Sequence, residues 1–82
     1  MTINEDFRYS LGKMIVSARE EQGITQKELS SRCGIPQPNL SLIESGKANP
    51  SINTVTKIID ALDRRLMMYL VYDEKEDDAY DR

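Results

Sequence analysis

Histidine and tryptophan are absent from this chain, and cysteine occurs once, at Cys33. Without histidine the chain lacks the commonest general base and the commonest metal ligand. A single cysteine makes neither an intramolecular disulfide nor a cysteine-rich metal site, and Cys33 reads as a small packing residue at a helix end. No nucleophile–base constellation and no glycine-rich phosphate loop occurs, which argues against an enzyme, and nothing calls for a cofactor or a metal. The paired acids Glu20-Glu21 fall on the polar side of an amphipathic helix, where charge is ordinary. No apolar run approaches the roughly 20 residues a membrane helix needs. The opening stretch from Met1 to Asp6 is polar and acidic rather than signal-like, so the expectation is a cytoplasmic chain.

Positive charge is also scarce. The 82 residues carry a net charge of −3, and the sequence pI is about 4.8. Taken alone, that balance opposes a nucleic-acid binder. The acidity is uneven, however. Asp73, Glu74, Glu76, Asp77, Asp78 and Asp81 stand against Lys75 and Arg82, a net of −4, so the overall −3 leaves residues 1–72 at +1. A near-neutral body can bind DNA if its few cations share one face. A chain this short buries a limited core, so dimerisation would help its stability.

Three regions follow: a helical body over residues 1–64, an apolar segment over 65–72 and an acidic tail over 73–82. A first helix is expected from Glu5 or Asp6 to Gln22, with Phe7, Leu11, Ile15 and Ala18 as its inner stripe and Met14 at the edge. A last helix starts after Ser51 as N-cap and buries Ile52, Val55, Ile58, Ile59 and Leu62. Leu66-Met67-Met68-Tyr69-Leu70-Val71-Tyr72 is apolar at every position and rich in β-forming residues. It reads as a strand covered on both faces. No second strand candidate exists in the chain, so the partner is the same strand of another copy across a two-fold axis. The alternative is an extension of the last helix. The tail reads as disordered.

Between the outer helices lies the most informative stretch, Gly23 to Pro50. Thr25 and Glu28 form a Thr-x-x-Glu capping box that opens a helix carrying Leu29. Cys33-Gly34 closes it, since Gly34 suits a left-handed turn. Pro36-Gln37-Pro38 opens another short helix, with Leu40 and Ile43 facing inward and Ser45-Gly46 ending it. Cap, apolar anchor, glycine turn and short second helix, in that order, make a helix-turn-helix.

With Gly12, Ile15, Arg19, Gly23, Thr25-Gln26, Glu28-Leu29, Gly34-Ile35, Gln37, Leu40-Ser41, Ile43-Glu44, Gly46, Pro50-Ser51 and Ala61-Leu62, the chain resembles the phage-repressor (Cro/C1, or XRE) family over about residues 8–63. The apolar segment and polar tail after Leu62 are similar to the HipB-type antitoxins within it. The resemblance implies an all-α, lambda-repressor-like bundle of four to five short helices, plus one C-terminal β-strand pairing across a homodimer. Its strand residues would be Leu66, Met68, Tyr69, Leu70, Val71 and Tyr72.

The resemblance also implies the site residues. The helix that opens at Pro36 lies in the major groove, so Gln37, Pro38, Asn39 and Leu42 face base edges. Gln37 leads, then Asn39, because Gln and Asn pair bidentately with adenine. Pro38 and Leu42 depart from the usual polar pattern; Pro38 suits a thymine methyl, Leu42 suits either a thymine methyl or packing against a partner chain, and Pro36 stands where the family often has a Ser or Thr cap. Phosphate candidates by position are Thr25, Gln26, Ser41, Lys47, Asn49, Ser51 and Asn53, with Lys27 near the same face. Thr25 and Ser51 also read as simple helix caps. Arg19 and Glu44 are expected to form a structural ion pair.

Two functions compete. One is a sequence-specific, homodimeric repressor of a palindromic double-stranded DNA operator, acting on its own gene. The other is an antitoxin that chiefly binds a cognate toxin protein and represses the shared operon secondarily.

Overall fold

Backbone donors at the helix starts and glycine at one turn account for most of the chain's course. The computed structural model describes residues 3–72. It contains four helices: α1 (Ile3–Glu21), α2 (Gln26–Cys33), α3 (Gln37–Glu44) and α4 (Ile52–Ala61). α1 begins before the expected Glu5 or Asp6 and ends one residue before Gln22. The acidic stretch 73–82, expected to be disordered, lies outside the described residues.

α2 opens on a complete capping box. The Glu28 N–H donates to Thr25 Oγ1 at 3.0 Å and the Thr25 N–H donates to Glu28 Oε1 at 2.8 Å. That second bond holds the Glu28 carboxyl below the usual carboxylate range, helped by the Thr25 side chain. Gly34, at φ 76°, supplies the left-handed residue that turns the chain from α2 toward α3. α3 opens differently. Pro36 is its N-cap and offers no side-chain bond, while Pro38 sits in the first turn. The two prolines remove two of the four donors that a helix start leaves without a partner. α4 is capped by Ser51, whose Oγ accepts the Thr54 N–H at 3.2 Å.

The core joins all four helices: Leu11 and Ile15 from α1, Leu29 and Cys33 from α2, Leu40 and Ile43 from α3, and Val55, Ile58 and Ile59 from α4, with Ile24 and Leu62 beside them. Burial of these side chains stabilises each by ~1.5–3 kcal/mol relative to exposure. α1 and the end of α3 approach closely at Gly12. A methyl group there would stand 2.4 Å from the Glu44 carbonyl oxygen and 2.7 Å from that of Ile43.

Two expected core residues are not in the core. Phe7 is 50% exposed and Ile52 is 59% exposed. The apolar stripes of α1 and α4 are wider than the surface their neighbours cover. Met14, 54% exposed, lies on the same uncovered edge of α1. Met14 lines a groove with Ala18, Ile59, Leu62 and Leu66, and Ile52 lines one with Ile59, Leu66 and Met68. Both open beside the start of the apolar run rather than into the core.

That run carries no secondary structure, and among the described residues there is no strand. Leu66 packs partly against the core, whereas residues 67–71 are 63–101% exposed. α4 stops at Leu62, and Asp63 follows in the left-handed region at φ 55°. The run is therefore not a continuation of α4. Among the described residues no helix is long and apolar enough to cross a membrane.

Candidate nucleic-acid interface

A chain of hydrogen bonds runs from the end of α1 to the first turn of α3. Arg19 donates from Nε to Glu44 Oε2 and from Nη2 to Glu44 Oε1, both at 3.0 Å. The two side chains are only 15% and 6% exposed. Arg19 Nη1 also donates to the Ile24 carbonyl at 3.2 Å, so one guanidinium ties α1, the loop before α2 and the end of α3. Planar, charge-assisted and bidentate, this is the strong form of such a pair. Glu44 Oε1 accepts a further bond from Gln26 Nε2 at 3.0 Å. Gln26 Oε1 in turn accepts from Gln37 Nε2 at 3.3 Å.

The chain assigns Gln26 a position that its sequence did not indicate. Expected on its position to contact phosphate, it also bridges the partly buried ion pair and Gln37. Spacing could not show this, because Gln26 and Glu44 are 18 residues apart and meet only through the turn at Gly34. The available sign was chemical: two amides, one in the first turn of each helix of the motif.

Seven of the site candidates line two depressions on the α3 surface. Gln26, Gln37, Pro38 and Ser41 line one. Asn39, Leu42 and Asn49 line the other, with Pro36, Pro50 and Thr54. Gln37, Pro38, Asn39 and Ser41 are exposed, and Leu42 is 48% exposed. Thr25 and Ser51 cap α2 and α4. Lys27 is exposed in the first turn of α2, Lys47 and Asn49 are exposed in the α3–α4 loop, and Asn53 is exposed at the start of α4. Among the described residues no group of three or more acidic, cysteine or histidine residues could hold a metal ion. The arrangement offers amides, hydroxyls, apolar contacts and a few cations, the kinds of group that proteins use on a DNA groove and its backbone.

A helix-turn-helix family model matches residues 15–67. The chain belongs to that family, in its Cro/C1-type form. It is 34% identical over 61 residues to a Haemophilus influenzae protein named as an HTH-type transcriptional regulator, covering 74% of this chain and 62% of that one. It is 37% identical over 57 residues to the HTH-type transcriptional regulator y4dJ of Sinorhizobium fredii, covering 70% and 74%. Against the Escherichia coli HTH-type transcriptional regulator PuuR it is 28% identical over 67 residues, 82% of this chain but 36% of that protein. This helix-turn-helix chain thus spans about three fifths of the Haemophilus relative and about a third of PuuR. The Gln26–Gln37 bridge and the Arg19–Glu44 pair both fall inside the matched region.

Proposed function

We propose that this protein regulates transcription by binding double-stranded DNA sequence-specifically, as a homodimer on a palindromic operator, and represses its own gene. The observation that carries the reading is Gln37, exposed in the first turn of α3 and held there by Gln26 and Glu44. A base-reading amide needs this preorganisation, because an immobile side chain loses less entropy on binding. Gln37 and Asn39 read adenines, Pro38 and Leu42 meet thymine methyls, and Thr25, Gln26, Lys27, Ser41, Lys47, Asn49, Ser51 and Asn53 line the phosphates. Gln26 acts through Gln37 as well. The relatives' names as transcriptional regulators support the same reading.

Residues 65–72 are the dimerisation element of this proposal, following a DNA-binding body over 1–64 and preceding an acidic tail over 73–82. Residues 67–71 are 63–101% exposed in the single chain, which is costly for so apolar a run. Pairing with the same segment of a second copy, over the grooves lined by Met14, Ile52 and Leu66, would cover them. Two recognition helices about 34 Å apart then read the two half-sites. The same run favours a second reading: resemblance to HipB-type antitoxins makes a toxin protein the alternative occupant of that face.

Fluorescence anisotropy with DNA from upstream of the gene, beside a scrambled duplex and at two salt concentrations, tests the main reading. A preference of about 1000-fold that weakens with salt is expected. Gln37→Ala should cost ~1–3 kcal/mol on the operator while leaving scrambled DNA nearly unaffected. Equal loss on both duplexes would refute base reading by Gln37.

Ending the chain at Arg65 should give a folded monomer with strongly reduced operator affinity, measured by sedimentation equilibrium and circular dichroism. A truncated chain that remains dimeric would rule out residues 66–72 as the dimer element. A chain that is monomeric even at full length would leave the toxin-bound reading in front.

A further inference from the structure

The bonds behind Gln37 leave it a single polarity. Glu44, pinned by Arg19, only accepts hydrogen bonds. Gln26 must therefore turn its NH2 group toward Glu44, which leaves its Oε1 to accept from Gln37. Gln37 has two N–H bonds, and Gln26 holds one of them. What remains for a base is one carbonyl oxygen and one N–H. A free glutamine could aim both N–H bonds at guanine, whose N7 and O6 are acceptors. Here that would break the link to Gln26. The groups left over match adenine, whose N6–H donates and whose N7 accepts.

Recognition then depends on one hydrogen of the adenine amino group, because the other is engaged by the paired thymine. A methyl group on N6 of a paired adenine must take the place of the free hydrogen, in the major groove. It removes the donor that Gln37 Oε1 would accept from and sets a methyl against that oxygen. The oxygen is left desolvated without a partner, the costly case for a polar group.

We propose that operator binding by this protein is weakened by N6-methylation of the adenine that Gln37 reads, so that its occupancy of DNA is sensitive to adenine-N6 methylation at that position. The proposal rests on the reading of Gln37 as a base contact. Gln26 and Glu44 are positioning residues in it: they fix which way the Gln37 amide faces.

The test uses the full chain and synthetic duplexes of the footprinted operator, with N6-methyladenine placed at one symmetry-related pair of adenines at a time. At one adenine in each half-site, methylation should weaken binding ~10-fold or more by anisotropy. Gln37→Ala should bind the methylated and unmethylated forms of that duplex within about twofold of each other, having lost the base pairing that methylation removes. If the unmodified operator is bound specifically and methylation at every adenine changes affinity by less than about twofold, the inference is overturned while the repressor reading stands. A methyl penalty that persists undiminished in Gln37→Ala also overturns it. If no duplex is preferred over scrambled DNA, the repressor reading and this inference fall together.

Discussion

Arg19→Ala should destabilise the protein by ~3–5 kcal/mol, measured as a fall in the urea midpoint with an unchanged slope. The Glu44 side chain is 6% exposed, and without Arg19 its carboxylate would keep only the Gln26 amide as a side-chain partner among the described residues. The cost is that of a buried charge left without its counter-ion, which exceeds the net value of the intact pair. Stabilities of ~0.05–0.15 kcal/mol per residue give an 82-residue chain roughly 4–12 kcal/mol in all, so the loss is a large share. Glu44→Ala should cost a similar amount. Combining Arg19→Met with Glu44→Leu should cost less than the two alanine variants added together, because no unpaired charge remains. A single variant within ~1 kcal/mol of the parent would show that the pair is hydrated like a surface salt bridge.

Gly12→Ala should lower the thermal midpoint by roughly 10–20 °C, corresponding to ~2–3 kcal/mol. Alanine is the better helix former by ~1 kcal/mol, so an exposed helical position would gain from the change. At Gly12 the added methyl would meet the Glu44 and Ile43 carbonyl oxygens at 2.4 and 2.7 Å. Both are backbone atoms, so no rotamer change relieves the contact, and α3 must move away from α1. The same movement strains the Arg19–Glu44 pair and shifts Gln37 through Gln26, so operator affinity should fall at temperatures where the variant is still folded. A melting curve that matches the parent's would mean that the two helices can separate freely at this crossing.

Local signals in the sequence were the legible ones. The Thr25–Glu28 box, the Gly34 turn and the Ser51 cap each need only neighbouring residues, and each appears in the structure where the local pattern put it. The inward residues Leu11, Ile15, Leu29, Leu40, Ile43, Val55, Ile58, Ile59 and Leu62 followed from helical spacing. Spacing says which face is apolar but not how wide a face the neighbours cover, so Phe7 and Ile52 were assigned to a core that stops short of them. The Arg19–Glu44 pairing came from family resemblance, since nothing in the order of residues brings positions 25 apart together. The bonds of Gln26 to Glu44 and Gln37 were out of reach for the same reason: they depend on the fold of the turn. Gly12 was marked by the resemblance alone; the physical reason for glycine there arises from a backbone that passes over it from a different helix.

The proline pair at the start of α3 has a bearing on how this protein can change. In a helix opened by a capping side chain, the first residues serve both the integrity of the helix and its contacts. A substitution for a new target is then penalised twice. Here the start of α3 relies on Pro36 and Pro38, which meet the problem of idle donors by lacking them. Gln37 and Asn39, lying beside and between them, are exempt from that duty. On the proposed reading of both as base contacts, their identities can drift toward another operator with little loss of helix stability, which would make the groove-facing positions more evolvable than the scaffold that carries them.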